Sequence, residues 1–411
     1  MKTRFPESKI VKNSKRSVSL FKQATQKRAM SSNKTSFWLP IDKKIAVIAF
    51  VFICLGLVFT YSSSAFDSSA YFKRQLMFDA IGIAVALFLS QTYSKIQAKI
   101  NPLWLVVITC GLLVAVLFTK PIANVHRWIA IGPFNLQPSE IAKVTLVIFM
   151  ANYLSRIQGK IARNWKLLIM PGIVVGITCG LMLKAPDLGT PALICAVIGM
   201  MLFVAGMSWK QIFCLVPVGA ALLVWQLLFY SYRLKRVLSF LHPEKQAAEA
   251  GYQLNQSFLA VGSGGWFGKG FGNSELKLQY LPAAHTDFIF SIMCEEIGLF
   301  GVFVIIALFS CLLVRGVNLA RAAKNSFNSL TIFGMTFMIC GQAFFNIAMA
   351  IGLLPTKGIP LPFFSYGGSS VIMTLAMIGI ICNLSAESTL TKNRPTDDFS
   401  YYKNRKKSRY E

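Results

Sequence analysis

The chain contains repeated apolar blocks, each about the length that crosses a lipid bilayer as an α-helix. Of its 411 residues, 55% are hydrophobic and only 14% are charged. A helix of about 20 apolar residues spans the hydrocarbon core of a membrane. Ten blocks are predicted to be transmembrane helices: residues 45–64, 75–92, 102–119, 138–155, 167–183, 188–206, 210–229, 287–314, 328–353 and 366–385. The sequence therefore predicts an all-α integral membrane protein.

Basic tails flank the predicted membrane domain, residues 45–385. Residues 1–44 contain twelve Lys and Arg, and residues 386–411 contain seven. An even number of spans places both tails on one side. With the tails in the cytoplasm, the short inner loops hold ten Lys and Arg and the short outer loops hold six, which predicts cytoplasmic termini. The net charge of +26 therefore indicates topology and lipid head-group contact rather than nucleic-acid binding.

One predicted outer loop, residues 230–286 between the seventh and eighth helices, is much longer than the others. It is rich in glycine and contains Arg233, Arg236 and Lys269. A basic outer loop suits an anionic ligand, although simple solvation is an alternative. Its stretch VGSGGWFGKGFGNS, residues 261–274, places aromatic residues between glycines, and glycine allows close backbone approach or left-handed turns. This pattern favours packing onto membrane or protein over a flexible loop.

Charged residues occur where predicted outer loops meet helices. In PSEIAK, Glu140 follows an early proline and can cap free amides of the helix start, and Lys143 is close enough in sequence to pair with it. Charged pairs in membrane segments normally face a protein interior or a wet cavity, so both roles are compatible. Asp187 lies in the tight turn LKAPDLGT, where we expect it to cap the next helix.

Polar residues also mark the link between the last two predicted helices. Residues 353–370, LLPTKGIPLPFFSYGGSS, contain Lys357 together with three prolines and three glycines. Such irregular backbone is tolerated near a membrane only if it is buried in protein or lines a wet cavity. Gln342 and Asn346 are four residues apart and share one helix face, which predicts hydrogen bonds between helices.

The segment LPAAHTDFIFSIMCEEIG, residues 281–298, carries three carboxylates into an apolar helix. By position alone, Asp287 is expected to cap the helix start, where the dipole favours negative charge. Glu295 and Glu296 lie deeper, and deep carboxylates mark a functional interior more often than a lipid-facing surface. One outer carboxylate among several Lys and Arg also suits an anionic substrate with a general base.

Metal ligation is not indicated by the sequence. The nine cysteines all fall inside apolar runs without a CxxC pair, which predicts buried packing residues. The three histidines, at positions 126, 242 and 285, show no ligand spacing.

Four stretches carry a family resemblance. They are YLPAAHTDFIFSIMCEEIGLFG (280–301), RWIAIGPFNLQPSEIAK (127–143), PDLGT (186–190) and GLLPTKGIPLPFFSYGGSS (352–370). Together they resemble the SEDS family of shape, elongation, division and sporulation proteins, in order and over about residues 45–385. The stretches GYQLNQS, GFGNSELKLQYLP and PTKGIPLP are more similar to the division member of the family than to the elongation member.

The resemblance implies a ten-helix peptidoglycan glycosyltransferase that polymerises lipid II at the outer face of the cytoplasmic membrane, at the division septum. Its implied partners are a class B penicillin-binding protein, which is the septal transpeptidase, and other divisome membrane proteins. The key Asp of the family's HTDF motif falls on Asp287, and the Glu and Lys of its PSE-x-x-K motif fall on Glu140 and Lys143. Ala283 and Ala185 stand where the family usually has Glu, and Gln or Glu, respectively.

The implied reaction is inverting glycosyl transfer with Asp287 as general base. Lys and Arg of the outer face would meet the charge of the leaving pyrophosphate. The candidates are Arg127, Arg233, Arg236, Lys269 and Lys357. A divalent cation such as Mg²⁺ is another source of the positive charge that would neutralise the pyrophosphate. Supporting interior roles are expected for Glu140, Lys143, Asp187, His285, Glu295 and Glu296.

Two other function classes are compatible with the pattern. A lipid II flippase would have many spans and intramembrane charges, but it should show paired interrupted helices in two related halves, and no internal repeat is evident. A scaffold that recruits the transpeptidase would not need an outer carboxylate surrounded by cations. Both alternatives predict that Asp287→Asn leaves function intact.

Overall fold

A computed structural model describes residues 41–64, 69–121, 125–132, 134–229, 234, 237–238, 240, 250–275, 287–356 and 358–392. A helix lies in each of the ten predicted segments, and the described part of the long loop contains a further helix, Ala250–Ser263. The helices are α1 (Lys43–Ser64), α2 (Ser69–Gln97), α3 (Pro102–Leu117), α4 (Pro138–Ile157), α5 (Ile169–Lys184), α6 (Gly189–Val204), α7 (Trp209–Phe229), α8 (Ala250–Ser263), α9 (Ile289–Arg321), α10 (Ser326–Ala350) and α11 (Gly368–Lys392).

Within the part of the chain that the structure describes, six of these helices are long and apolar enough to cross a membrane. They are α1, α2, α5 with the 3-10 turn before it, α9, α10 and α11. The apolar helices α3 and α6 are shorter. The protein is therefore a multi-pass membrane protein, while the count of ten spans stays a prediction.

The prediction of an all-α protein is confirmed, and the helices are accompanied by one short hairpin in the described residues. Strand β1 (Ile129–Ile131) pairs antiparallel with β2 (Phe134–Leu136), with Ile129 opposite Leu136. Gly132 adopts a φ of 60° at the turn, where glycine has no Cβ to clash. The hydroxyl of Ser369 ties this hairpin to α11 by donating to Asn135 O at 2.8 Å and accepting from Gln137 N at 3.1 Å.

The long loop contains the amphipathic helix α8, which the sequence interpretation missed. Its buried side runs through Leu254, Ser257 and Ala260, at most 1% exposed, while Leu259 on another side is 59% exposed. The hydroxyl of Ser257 donates to Ala350 O at the end of α10, over 2.7 Å. This spacing of three residues is the signature of one buried helix face, here packed on α9 and α10.

Helices α4 and α10 form the centre of the bundle. Side chains on several sides of each helix are buried, among them Leu146, Met150, Met335 and Met338. A helix that is apolar on all sides belongs in an interior. Polar side chains on these two helices are therefore held away from water and must find partners within the protein.

Helix α9 is broken near its start. Gly298 has φ 65° and ψ −174°, so the first nine residues form a separate helical piece. The glycine-rich loop docks on this kink: Lys269 N and Gly270 N donate to the carbonyls of Glu295 and Glu296, at 2.9 and 3.0 Å. The close approach predicted for the glycines is therefore made to protein backbone.

The cysteine prediction is only partly confirmed. All nine cysteines are free, and four are buried, namely Cys179, Cys294, Cys340 and Cys382. Four others are exposed on the helix surfaces, so those do not serve as core residues: Cys54, Cys195, Cys214 and Cys311.

Candidate functional site

Asp287 lies just before α9, and its backbone is held from α10. The Asn346 side chain donates from Nδ2 to Asp287 O at 2.8 Å. Helix α9 begins at Ile289 with Phe288 in the N-cap position, where no side chain caps the helix. Asp287 therefore precedes the cap position by one residue, and its side chain is partly exposed.

The Asp287 carboxylate and the Arg127 guanidinium lie against the same glycine. A methyl group added to Gly358 would be 3.3 Å from Asp287 Oδ2 and 3.4 Å from Arg127 Nη1. The structure thus brings together the predicted base and one of the predicted cations. Gly358 leaves open the space beside both groups that any larger residue would fill.

Arg127 is fixed by the turn between α5 and α6. Its Nε donates to Ala185 O at 3.3 Å, and its Nη2 donates to Pro186 O. Both bonds go to backbone carbonyls, so the charge of Arg127 is positioned without being neutralised by them. Asp187 and Ser139 line one small pocket together with Arg127.

Asp187 bonds to the first turn of α6 as expected, although Leu188 rather than Asp187 occupies the N-cap position. It is 4% exposed, and its Oδ1 accepts a hydrogen bond from Thr190 N in the first turn of α6, at 3.2 Å. Asp187 thereby stabilises the turn whose backbone carbonyls accept hydrogen bonds from Arg127.

Glu140 and Lys143 form a buried ion pair. Their Oε2 and Nζ atoms are 2.7 Å apart, and each side chain is 2% exposed. Lys143 also donates to Gln342 Oε1 on α10 at 2.5 Å. Gln137, rather than Glu140, occupies the N-cap position of α4, and it makes no side-chain cap bond. These contacts favour the interior pair over the capping role for Glu140.

The polar face of α10 holds the link to α11. Gln342 Nε2 donates to Pro360 O and Asn346 Nδ2 donates to Ile359 O, each at 2.8 Å. The predicted bond between helices is confirmed for Gln342, which accepts from Lys143 of α4. Asn346 bonds instead to non-helical chain, at Asp287 and Ile359. A continuous set of contacts therefore runs from the buried ion pair to the backbone of Asp287.

Lys269 belongs to a cluster around Glu295. The Glu295 carboxylate is fully buried and accepts from Lys269 Nζ at 3.0 Å, Ser274 Oγ at 2.5 Å and Glu275 N at 3.2 Å. The hydrogen bond to Glu295 raises the pKa of Lys269, which is therefore held charged. These contacts favour an anchoring role for Lys269, and its binding to pyrophosphate stays a prediction.

Glu296 joins α1 to the kink. It is 1% exposed, and its Oε1 accepts from Ser62 Oγ at 2.5 Å. A Cβ on Gly268 would lie 2.7 Å from Gly298 N, so the loop packs backbone against backbone here. The interior position predicted for Glu295 and Glu296 is confirmed.

Some candidates fall outside the described residues: Arg233, Arg236, His285 and Lys357. Within the described ranges, no group of three or more His, Cys, Asp and Glu side chains could hold a metal ion.

Gln75 and Asp79 on α2 were missed by the sequence interpretation. Both are buried, at 0% and 3% exposed. The available signal was a carboxylate inside the predicted span 75–92 with a polar residue four positions before it.

Comparison with known families gives one match over most of the chain. The family described as cell cycle protein, which comprises FtsW, RodA and SpoVE, matches residues 42–390. This range contains every motif discussed above and all described residues except residues 41 and 391–392.

Related sequences and solved structures agree with this match. A probable peptidoglycan glycosyltransferase FtsW of Thiomicrospira cyclica is 35% identical over 88% of this chain and 95% of its own length. A protein of the same name from Geobacter sp. is 37% identical over 84% and 96%. A chain solved in a study of polymerization and crosslinking by a peptidoglycan synthase complex has a TM-score of 0.73, 27% identity, and coverage of 85% and 99%. The rod shape determining protein RodA of Thermus thermophilus has a TM-score of 0.64, 27% identity, and coverage of 85% and 98%.

Proposed function

The chain belongs to the FtsW, RodA and SpoVE family of cell cycle proteins, and from this premise we propose that it is a peptidoglycan glycosyltransferase. It polymerises lipid II into glycan strands at the outer face of the cytoplasmic membrane during septal wall synthesis. The names of the FtsW relatives support the activity. The structural observation that carries the site is that the carboxylate of Asp287 and the guanidinium of Arg127 both approach Gly358.

In the proposed reaction, Asp287 takes the proton from the 4-hydroxyl of the acceptor GlcNAc. The hydroxyl oxygen attacks C1 of the donor MurNAc from the face opposite the leaving group. The new C1–O bond forms as the bond to undecaprenyl pyrophosphate breaks, so the configuration at C1 inverts. Asp287 then releases its proton to solvent. A positioned base of this kind contributes roughly 10²- to 10⁴-fold to a rate.

Arg127 is the proposed partner of the departing pyrophosphate. No acid has to protonate this leaving group, because it is stable as an anion when cations meet its charge. The two carbonyl contacts of Arg127 hold the guanidinium in place before the reaction, which reduces the reorganisation that charge development requires. Arg233, Arg236, Lys269 and Lys357 remain further candidates, and a divalent cation such as Mg²⁺ is an alternative source of charge.

The membrane arrangement belongs to the same proposal. Ten spans with cytoplasmic termini put Asp287 and the loop 230–286 on the outer side, where lipid II is presented. The similarity to RodA over 98% of that chain supports a shared membrane domain. The similarity to a chain of a peptidoglycan synthase complex supports a transpeptidase partner. We propose a class B penicillin-binding protein as that partner, with other divisome membrane proteins around it.

The activity is tested with purified protein in vesicles containing lipid II, with and without a class B penicillin-binding protein. The expected result is glycan strands that a muramidase digests to disaccharide units. Arg127→Met should slow strand formation by about 10²-fold, whereas Arg156→Met, on an exposed end of α4, should not. Movement of labelled lipid II across the bilayer without any glycan product would contradict the proposal and favour a flippase.

A further inference from the structure

The side chain of Asn346 is a fully buried amide, and both of its N–H groups donate to backbone carbonyls. Its Nδ2 lies 2.8 Å from Asp287 O and 2.8 Å from Ile359 O, and the side chain is 0% exposed. Among the described residues, nothing donates to its Oδ1. The amide orientation is nevertheless determined, because a flipped amide would put Oδ1 against two carbonyl oxygens.

The two acceptors belong to the two segments that border the candidate site, which we call its walls: the chain at Asp287 and the chain at Gly358 and Ile359. One is the residue that carries the proposed base. The other, Ile359, directly follows Gly358, against which both Asp287 Oδ2 and Arg127 Nη1 lie. These walls come from distant parts of the sequence, and Asn346 is a single side chain that bonds to both of them.

We infer that Asn346 is a positioning residue that fixes Asp287 relative to the Gly358 wall. Because Asn346 is fully buried, it acts through the backbone of Asp287 rather than on substrate. The catalytic consequence rests on the proposed function, whereas the fixing of the two segments does not.

Removing this amide deprives two carbonyls of their common donor. A buried acceptor without a partner is costly, so the two segments should shift towards water or other donors. A displacement of about 1 Å at a reacting group can lower a rate by about 10²-fold. Substrate affinity should change little, since Arg127 is fixed by other bonds. The expected signature is therefore a loss of kcat at nearly constant KM for lipid II.

Asn383 on α11 offers a matched control. It is also 0% exposed, donates from Nδ2 to Ser90 O at 2.8 Å and accepts from Ser94 N at 3.0 Å. It thus bridges two segments with a buried amide, but those are the C-terminal parts of α2 and α11 and not the walls of the candidate site. If the loss of any buried hydrogen bond were enough to lower kcat, substitutions of Asn346 and of Asn383 would lower it alike.

The test compares Asn346→Ala and Asn346→Asp with Asn383→Ala in the full chain. Kinetics with lipid II are measured together with amide hydrogen exchange of peptides covering residues 287–292 and 358–361. We expect both Asn346 variants to lose about 10²-fold in kcat with KM within about twofold, and exchange to rise in both peptides. Asn346→Asp keeps the shape but cannot donate to both carbonyls at once, so it should be as impaired as the alanine variant.

Equal kinetic loss in Asn346→Ala and Asn383→Ala, or unchanged exchange in both peptides, would overturn the inference. A fully active Asn346→Asp would overturn it as well. Failure of the proposed function would be recognised separately, because the Asp287→Asn variant would then polymerise lipid II at the wild-type rate. In that case the exchange data still decide whether Asn346 fixes the two walls.

Discussion

The ammonium group of Lys143 lies between two partners on different helices, 2.7 Å from Glu140 Oε2 and 2.5 Å from Gln342 Oε1. Both charged side chains are only 2% exposed. Gln342 in turn donates to Pro360 O, next to the residue bonded by Asn346. A buried charge pair therefore supports the segment that forms one wall of the candidate site.

Removal of either partner of this pair should destabilise the protein strongly. Glu140→Gln or Lys143→Met leaves an uncompensated buried charge, which typically costs about 3–5 kcal/mol. The double variant removes both charges and should lose less than the sum of the single losses. Thermal unfolding in detergent measures this. Strictly additive losses, or single variants as stable as wild type, would contradict the prediction.

The sequence predicted this pair because the PSEIAK spacing puts the two charges on one side of a helix start. It predicted Gln342 and Asn346 only as partners between helices, since their exact acceptors depend on how the link after α10 folds back. The approach of Arg127 and Asp287 to the same glycine, Gly358, could not be predicted from spacing, because these segments come together only through tertiary packing.

Lys269 and Glu295 provide a test of anchoring against substrate binding. If Lys269 anchors the glycine-rich loop, Lys269→Met and Glu295→Gln should both speed amide exchange in residues 264–275 and leave the KM for lipid II unchanged. Lys210→Met, at the exposed start of α7, serves as control. A raised KM in Lys269→Met alone would show instead that the lysine binds pyrophosphate.

Gly56 in α1 is expected to tolerate no side chain. A Cβ at this position would overlap the carbonyl of Phe363 and lie 3.1 Å from its carbon atom. Phe363 cannot easily move, because it is 2% exposed and has a φ of 69°. We predict that Gly56→Ala lowers stability by about 1–3 kcal/mol. Gly111→Ala, in α3 with nothing within 4 Å, should be neutral or stabilising by up to about 1 kcal/mol. Equal melting temperatures for the two variants would refute this account of the α1 contact.

Asp42 and Arg315 should give a pH-dependent contribution to stability. Burial alone would raise the pKa of Asp42, but hydrogen bonds from Arg315 and from Ile45 N outweigh it and hold the pKa below its usual 3.8. A lowered folded-state pKa stabilises the protein above the unfolded pKa, and this is lost as pH falls through the folded value. The stability difference between wild type and Asp42→Asn should therefore be constant above about pH 5 and shrink on further acidification. Denaturation between pH 3 and 7 measures it, and a difference that grows towards acid would contradict the sign.

The long loop shows where sequence reasoning was limited. Its glycines predicted close backbone approach, and the structure places that approach at the kink of α9, at Gly298. Helix α8 was missed because its apolar face is short and lies between glycine-rich and basic stretches. The short hairpin was missed because three-residue strands carry too little periodicity to separate from a loop.

The central claim is that Asp287 is the general base of lipid II polymerisation. The most direct measurement is the polymerisation rate of Asp287→Asn, purified and assayed with lipid II and a class B penicillin-binding protein. Glu387→Gln is the control, since this carboxylate pairs with Lys324 and with none of the candidate cations. We predict a folded Asp287→Asn protein whose rate falls by at least about 10²-fold, with Glu387→Gln close to wild type. Long glycan strands made by Asp287→Asn at the wild-type rate would contradict the claim.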